Sequence, residues 1–130
     1  MRIALFLCVF LLVFFSGCLR FKQSLIFNKD GTCTIIYKYS IPEEHLIIWS
    51  NFPYSANQKN GLGGNFLNRQ AVESFFSDNE IELRQYRQYT EGTIRHVEII
   101  VLSRNIERDF NKGAFGDFEL KKNLLGDYSL

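Results

Sequence analysis

The chain has 130 residues, 46% of them hydrophobic and 22% charged, with two prolines and a formal net charge of +1. That composition excludes a disordered or low-complexity chain and fits one globular domain. With 15 Lys and Arg against 14 Asp and Glu, no strongly basic face is expected, and nucleic acid is not an expected partner.

The first element is an apolar run of 13 residues, Ile3 to Phe15, behind the single basic residue Arg2. A spanning helix needs roughly 20. A run this short that closes on small residues has the form of the apolar segment of a secretory signal. As a core helix of a cytosolic domain it would need burial on every side, more than the remaining chain offers. Its closing residues, Ser16-Gly17-Cys18, resemble the bacterial lipobox, whose usual form is Leu-[Ala/Ser]-[Gly/Ala]-Cys. Ser16, Gly17 and Cys18 match that pattern one by one; Phe15 stands where leucine is usual. The resemblance implies that the Cys18 thiol receives a diacylglycerol, that residues 1–17 are cut away, and that the new amino group takes a fatty acyl chain such as palmitate. Two or more chains anchor stably, at about 0.8 kcal/mol per buried CH₂. The competing reading is an ordinary signal cut near Gly17, leaving a free secreted protein.

Processing of this kind divides the chain into a signal peptide, 1–17, and a single domain, 18–130, of 113 residues and formal net charge zero. Cys8 leaves with the signal and Cys18 becomes a thioether. Cys33 alone remains, so no intrachain disulfide is available. The expected location is the bacterial cell envelope, either the outer membrane or the outer leaflet of the cytoplasmic membrane. Leu19, not an acidic retention residue, follows the cysteine. The expected partners are the membrane, through the N-terminal lipid, and an envelope protein.

Residues 20–40 read as a hairpin. Phe21, Leu25 and Phe27 alternate with Arg20, Lys22 and Ser24, and Asn28-Lys29-Asp30-Gly31 supplies the turn. Cys33, Ile35, Tyr37 and Tyr39 then share one face of the return strand. Beginning two residues after Cys18, the first strand leaves almost no tether. Ser40-Ile41-Pro42-Glu43 has the form of a capping box opening a helix over 42–50, which Pro53 stops. Tyr54 to Asn65 is polar and glycine-rich. A phosphate cradle would need a preceding strand and a following Lys-Ser or Lys-Thr, and neither is present, so a flexible connector is the simpler reading.

Leu67, Ala71, Val72, Phe75 and Phe76 form an apolar stripe at helical spacing, with Asn68 as cap and Asn79 as stop. This is the main helix, 68–78, and it is expected to bury Phe75 under the sheet. Ile81 and Leu83 open a strand that runs to about Tyr89, and Glu91-Gly92 turns it. Val97, Ile99 and Val101 line one face of its partner. Ile106 and Phe110 mark a short helix closed at Gly113. A final extended stretch, Phe118 to Leu130, is broken at Leu125-Gly126-Asp127 and predicts a short, partly paired hairpin. Short hairpin connections predict an α+β fold: a largely antiparallel sheet of about five strands with two or three helices packed on one face.

From Cys18 onward the chain resembles bacterial lipoproteins of the LppM-like class. The resemblance lies in a lipidated cysteine running straight into a strand, CLRFKQSLIFNKDGTCTIIYKYSIPEE. A helix-strand-strand unit follows, NRQAVESFFSDNEIELRQYRQYTEGTIRHVEIIV, and then a Gly-Ala-Phe-Gly loop at 113–116. Similar proteins often carry a membrane helix near the C-terminus, where this sequence has no comparable apolar run. The resemblance implies an envelope lipoprotein with an α+β domain and transfers no catalytic residue.

The sequence holds no nucleophile elbow and no zinc-protease motif, and no metal or other cofactor is expected. The two histidines, His45 and His96, are too few to complete a zinc site without acids or Cys33. His45 beside Glu43 and Glu44 fits an exposed first helical turn more simply than a metal site. Pairing of Cys33 with His96 would make a small hydrolase. The ordinary reading of Cys33 is a half-buried small hydrophobe in a strand. The basic-aromatic run Arg84-Gln85-Tyr86-Arg87-Gln88-Tyr89 is the one unusual surface. Arg84, Tyr86, Arg87 and Tyr89 are the candidate interaction residues, for a protein partner or for sugar stacking. The simpler reading of the same residues is the wet end of a hairpin. The functional expectation is therefore a lipid-anchored binding or structural module of the envelope. The alternatives are a small hydrolase using Cys33 or a histidine, and a lipid-binding fold with a cavity between helix and sheet.

Overall fold

The computed structural model describes residues 19–50, 63–116, 121–122 and 128–129. In chain order the elements are β1 (Arg20–Phe27), β2 (Cys33–Pro42), a 3-10 turn (Glu43–His45) running into α1 (Leu46–Ser50), and a second 3-10 turn (Gly63–Leu67). Then come α2 (Arg69–Asp78), β3 (Glu82–Glu91), β4 (Ile94–Ser103), α3 (Ile106–Asn111), β5 (Lys121–Lys122) and β6 (Tyr128–Ser129). β1 to β4 form one antiparallel sheet in the order β1-β2-β4-β3, and β5 pairs with β6 alone. The α+β class and the antiparallel sheet are as the sequence predicts. Among the described residues the main sheet has four strands, not about five, and the C-terminal pairs, Lys121↔Ser129 and Lys122↔Tyr128, form a separate two-stranded ladder. An arm of two residues offers too few ladder bonds to extend a sheet edge. The remainder of the predicted stretch Phe118–Leu130 lies outside the described residues.

Local chemistry explains the first hairpin. Asn28 N donates to Thr32 O at 2.8 Å. The Asp30 carboxyl accepts from the Thr32 amide at 3.0 Å and from its hydroxyl at 2.6 Å, which holds that carboxyl below the usual range. Gly31 takes the left-handed conformation that closes the turn, at φ +82°. The register then sets Phe27 opposite Cys33 and Arg20 opposite Ser40.

Alternation decides the faces. Cys33, Ile35, Tyr37, Tyr39 and Ile41 of β2, with Val97, Ile99, Val101 and Ser103 of β4, point to one buried side. α2 lies on that side through Val72 and Phe76, both fully buried, with the Phe76 ring 6.1 Å from Tyr37. The predicted caps form: the Asn68 side chain accepts from Ala71 N at 3.1 Å, and Asn79 Nδ2 donates to Phe75 O at 2.8 Å. The placement of Phe75 under the sheet is corrected. Phe75 is only partly buried and meets the edge of Phe76 at 5.0 Å. The apolar stripe is wider than the seam, and the four-residue ridge Val72–Phe76 takes the centre.

Three further expectations change. Ser40 caps no helix: β2 continues to Pro42, which pairs with Ile94, and the 3-10 turn that follows has no side-chain cap. The glycine-rich stretch does not stay a connector at its end. Residues 51–62 lie outside the described residues, but Gly63–Leu67 is a turn whose Phe66 is fully buried, its ring stacked on Tyr39 at 4.0 Å. Cys33 is fully buried rather than half-buried.

The short helix α3 begins at an Asn105 cap, whose side chain accepts from Arg108 N at 3.0 Å. Its Asp109 turns inward. There it accepts from Ser103 Oγ at 2.6 Å and from Arg108 Nε at 2.8 Å, with Asp109 and Ser103 both buried.

Candidate functional site

The face of the sheet away from Phe76 and Phe110 is the surface on which predicted site residues meet. Paired registers lay it out in rows. Ile26, Thr34, Leu102 and Glu82 form the first, and Ser24, Ile36, Ile100 and Gln85 the second. Lys22, Lys38, Glu98 and Arg87 form the third, and Arg20, Ser40, His96 and Tyr89 the fourth. The face is apolar toward the β1–β2 turn and grows charged and aromatic toward the start of β1.

Two of the four predicted interaction residues belong to this face. The Arg87 guanidinium lies 4.7 Å from the centre of the Tyr89 ring and pairs with Glu98 at 3.2 Å. The Tyr89 ring stacks on His96 at 5.0 Å. His96 Nδ1 and Ser40 Oγ share a hydrogen bond of 2.9 Å, and His96 Nε2 lies 3.7 Å from Glu91. Arg87, Tyr89 and His96 thus make a layered cation–aromatic group on a rigid two-strand base. Glu98 matches the charge of Arg87, while Lys22, Lys38 and Arg20 leave this part of the face with an excess of positive charge beside the stacked rings. Such a surface can stack on a sugar ring or a partner's aromatic side chain.

The other two residues face elsewhere. The register slips between Leu83 and Gln85, so Arg84 stands at a bulge and pairs with Glu82 at 3.2 Å. Strict alternation along the run would set Arg84, Tyr86 and Gln88 on one side, and the bulge breaks it. Tyr86 and Gln88 turn inward without Arg84. Tyr86 OH donates to Phe66 O at 2.7 Å, and Gln88 Nε2 donates to Leu67 O at 2.7 Å and to the Tyr86 hydroxyl. They fasten the Gly63–Leu67 turn to the sheet. Burial raises the Tyr86 hydroxyl pKa, with the Gln88 bond opposing it. The same cause carries the Tyr37 and Tyr39 hydroxyls far above their ordinary range.

The sequence places Ser40 in a cap, reads Glu91 as a turn residue and does not single out Glu98, so it misses three members of the group. A period-two reading of β2 carried on to Pro42 would have put Ser40 opposite His96.

Cys33 and His96 do not meet. Cys33 lies on the buried side opposite Ser103, and His96 lies on the other side opposite Ser40. Burial pushes the Cys33 thiol up, against a weaker backbone hydrogen bond from Ile26, the reverse of what a nucleophile requires. In peptide-mapped alkylation, Cys33 in the folded protein should label at least about a hundredfold more slowly than in denaturant, because reaction must wait for opening. Equal rates would contradict its burial. His45 lies 3.8 Å from the exposed Glu44. Among the described residues, no group of three or more His, Cys, Asp or Glu could hold a metal ion. A depression of about 230 Å³ beside α2 is lined by Asn68, Gln70, Ala71 and Ser74, too polar a wall to favour an acyl chain.

Cys18 lies outside the described residues. Its neighbour Leu19 packs against the core, and Arg20 opens β1. Among the described residues, no helix is long and apolar enough to cross a membrane. Compared with protein families, with curated proteins and with solved structures, the chain matches none.

Proposed function

We propose that this chain is a lipid-anchored protein of the bacterial cell envelope, attached through Cys18, and that its domain acts there as a binding or structural module. The observation that carries the reading is the join. A 13-residue apolar run ends at Ser16-Gly17-Cys18, and the folded domain begins one residue later, with Leu19 already packed on the core. A trans peptide step spans about 3.8 Å, so an acylated residue 18 would hold the domain against the bilayer with no linker. The LppM-like resemblance of the sequence points the same way. For recognition, the best-equipped surface is the Arg87, Tyr89 and His96 group on the open sheet face. Its cation and rings are layered on one another, with Arg87 held by Glu98 and His96 by Ser40.

Cys18→Ala is the direct test. In a bacterial host fed a radiolabelled or alkynyl fatty acid, the wild-type protein is expected to label and shorten by its first 17 residues. The variant is expected to do neither. A variant that still reaches the mature size in the membrane fraction would end the lipobox reading.

A further inference from the structure

In an antiparallel sheet the start of β1, the end of β2, the start of β4 and the end of β3 lie together. This end therefore holds Leu19, Pro42 with the α1 turn that follows it, and Ile94, which pairs with Pro42. It is the end from which residue 18 leaves the domain. It is also where large apolar side chains stand in the open: Ile47 is 71% exposed, Ile48 65% and Ile94 38%. α1 reads Leu-Ile-Ile-Trp-Ser. Leu46 and Trp49 pack against the core, Trp49 at 5.8 Å from Phe66, so the helix is held while its isoleucines face out.

We infer that α1, with Ile94 beside it, seats in the headgroup and upper acyl region of the bilayer to which Cys18 is anchored. The inference rests on the reading of Cys18 as the lipid-bearing residue. The occupant follows from position. A linkerless anchor presses this end, and no other, onto the membrane. The other exposed apolar pair, Ile26 and Phe27, is at the far end of β1, roughly 20 Å away at about 3.3 Å per residue. An apolar ridge with a tryptophan at its base matches the composition of surfaces that lie in a bilayer interface. Charge adds little pull, because at this end Arg20 and Arg95 stand against Glu43, Glu44 and Glu91, with Glu43 and Arg95 paired at 3.1 Å. Burial of apolar surface is the driving term, so neutral lipids suffice and salt has little effect.

Trp49 is the only tryptophan in the chain, so fluorescence excited at a wavelength that tyrosine does not absorb reports on α1 alone. The full protein, purified from a lipidating host, is reconstituted into phosphatidylcholine vesicles with plain or brominated acyl chains, and the lipid on Cys18 is verified by mass. Brominated vesicles are expected to quench Trp49 strongly, at low and high salt alike. Exchanging both exposed isoleucines, Ile47→Ser with Ile48→Ser, is expected to remove most of that quenching while the lipid mass and the unfolding midpoint stay unchanged. Equal emission in plain and brominated vesicles, from protein whose Cys18 carries lipid, would overturn the inference and leave the anchor reading intact. Quenching from protein that carries no lipid would support the docking surface and count against the anchor.

Discussion

Phe76→Ala is expected to destabilise the domain by about 3–5 kcal/mol, the cost of emptying a fully buried phenylalanine site. The ring is fully buried, lies 6.1 Å from Tyr37 and supports the edge of Phe75. Its removal opens a cavity at the centre of the α2–sheet seam, where Val72, one turn earlier, cannot move in without shifting the helix. The loss compares with the whole stability of many small domains, about 5–15 kcal/mol, so urea unfolding should show a much lower midpoint at similar slope. Phe75→Ala is the matched control. That side chain is only partly buried, and its truncation should cost no more than about 2 kcal/mol. If Phe75→Ala proved the more damaging of the two, the rotation of α2 described above would be wrong.

Asp109→Ala should cost about 1–3 kcal/mol, for a different reason. Asp109 is buried, and its two carboxyl oxygens are used separately: Oδ2 accepts from Ser103 at 2.6 Å, and Oδ1 from Arg108 at 2.8 Å. The truncation strands the Ser103 hydroxyl in the interior and releases α3 from the end of β4. Ser103→Ala removes the hydroxyl but leaves the Arg108 bond in place, and should cost about 1–3 kcal/mol. Because the two residues share one bond, the double variant should cost less than the sum of the singles. Strict additivity in that cycle would mean that the Ser103–Asp109 bond contributes nothing to stability. The expected phenotype concerns stability and not activity, since the cluster faces the interior between α3 and the sheet.

The same two residue pairs mark the boundary between local and tertiary information. Local chemistry determined the elements whose signals lie within a few residues of one another. The β1–β2 turn follows from Asn28, Asp30 and Gly31. The ends of α2 follow from Asn68 and Asn79, and the buried side of β4 from the alternation of Val97, Ile99 and Val101. The stop of α3 follows from Gly113, at φ +75°. The antiparallel sheet follows from the short hairpins. The place of Cys33 in a strand was legible too, though not the depth at which it lies.

Tertiary structure decided what depends on distant partners. Periodicity drew a stripe that held both Phe75 and Phe76, and only the position of Tyr37 on β2 selected the second. Phe66 carried no local sign of burial. Phe66 is buried because the Tyr39 ring and the side chains of Tyr86 and Gln88 capture that turn from strands 20 to 30 residues away. Ser40 had a sound local alternative as a helix cap, and the ladder to β4 outcompeted it by pairing the chain through Pro42. The bulge at Arg84 divided the Arg84–Tyr89 run, because an extra residue in one strand reverses the side on which every later residue falls. Propensity, capping and turn chemistry act over three or four residues and can be read along the chain. Which of two adjacent side chains is buried, and which side of a strand carries a surface, is set by residues brought close only by folding.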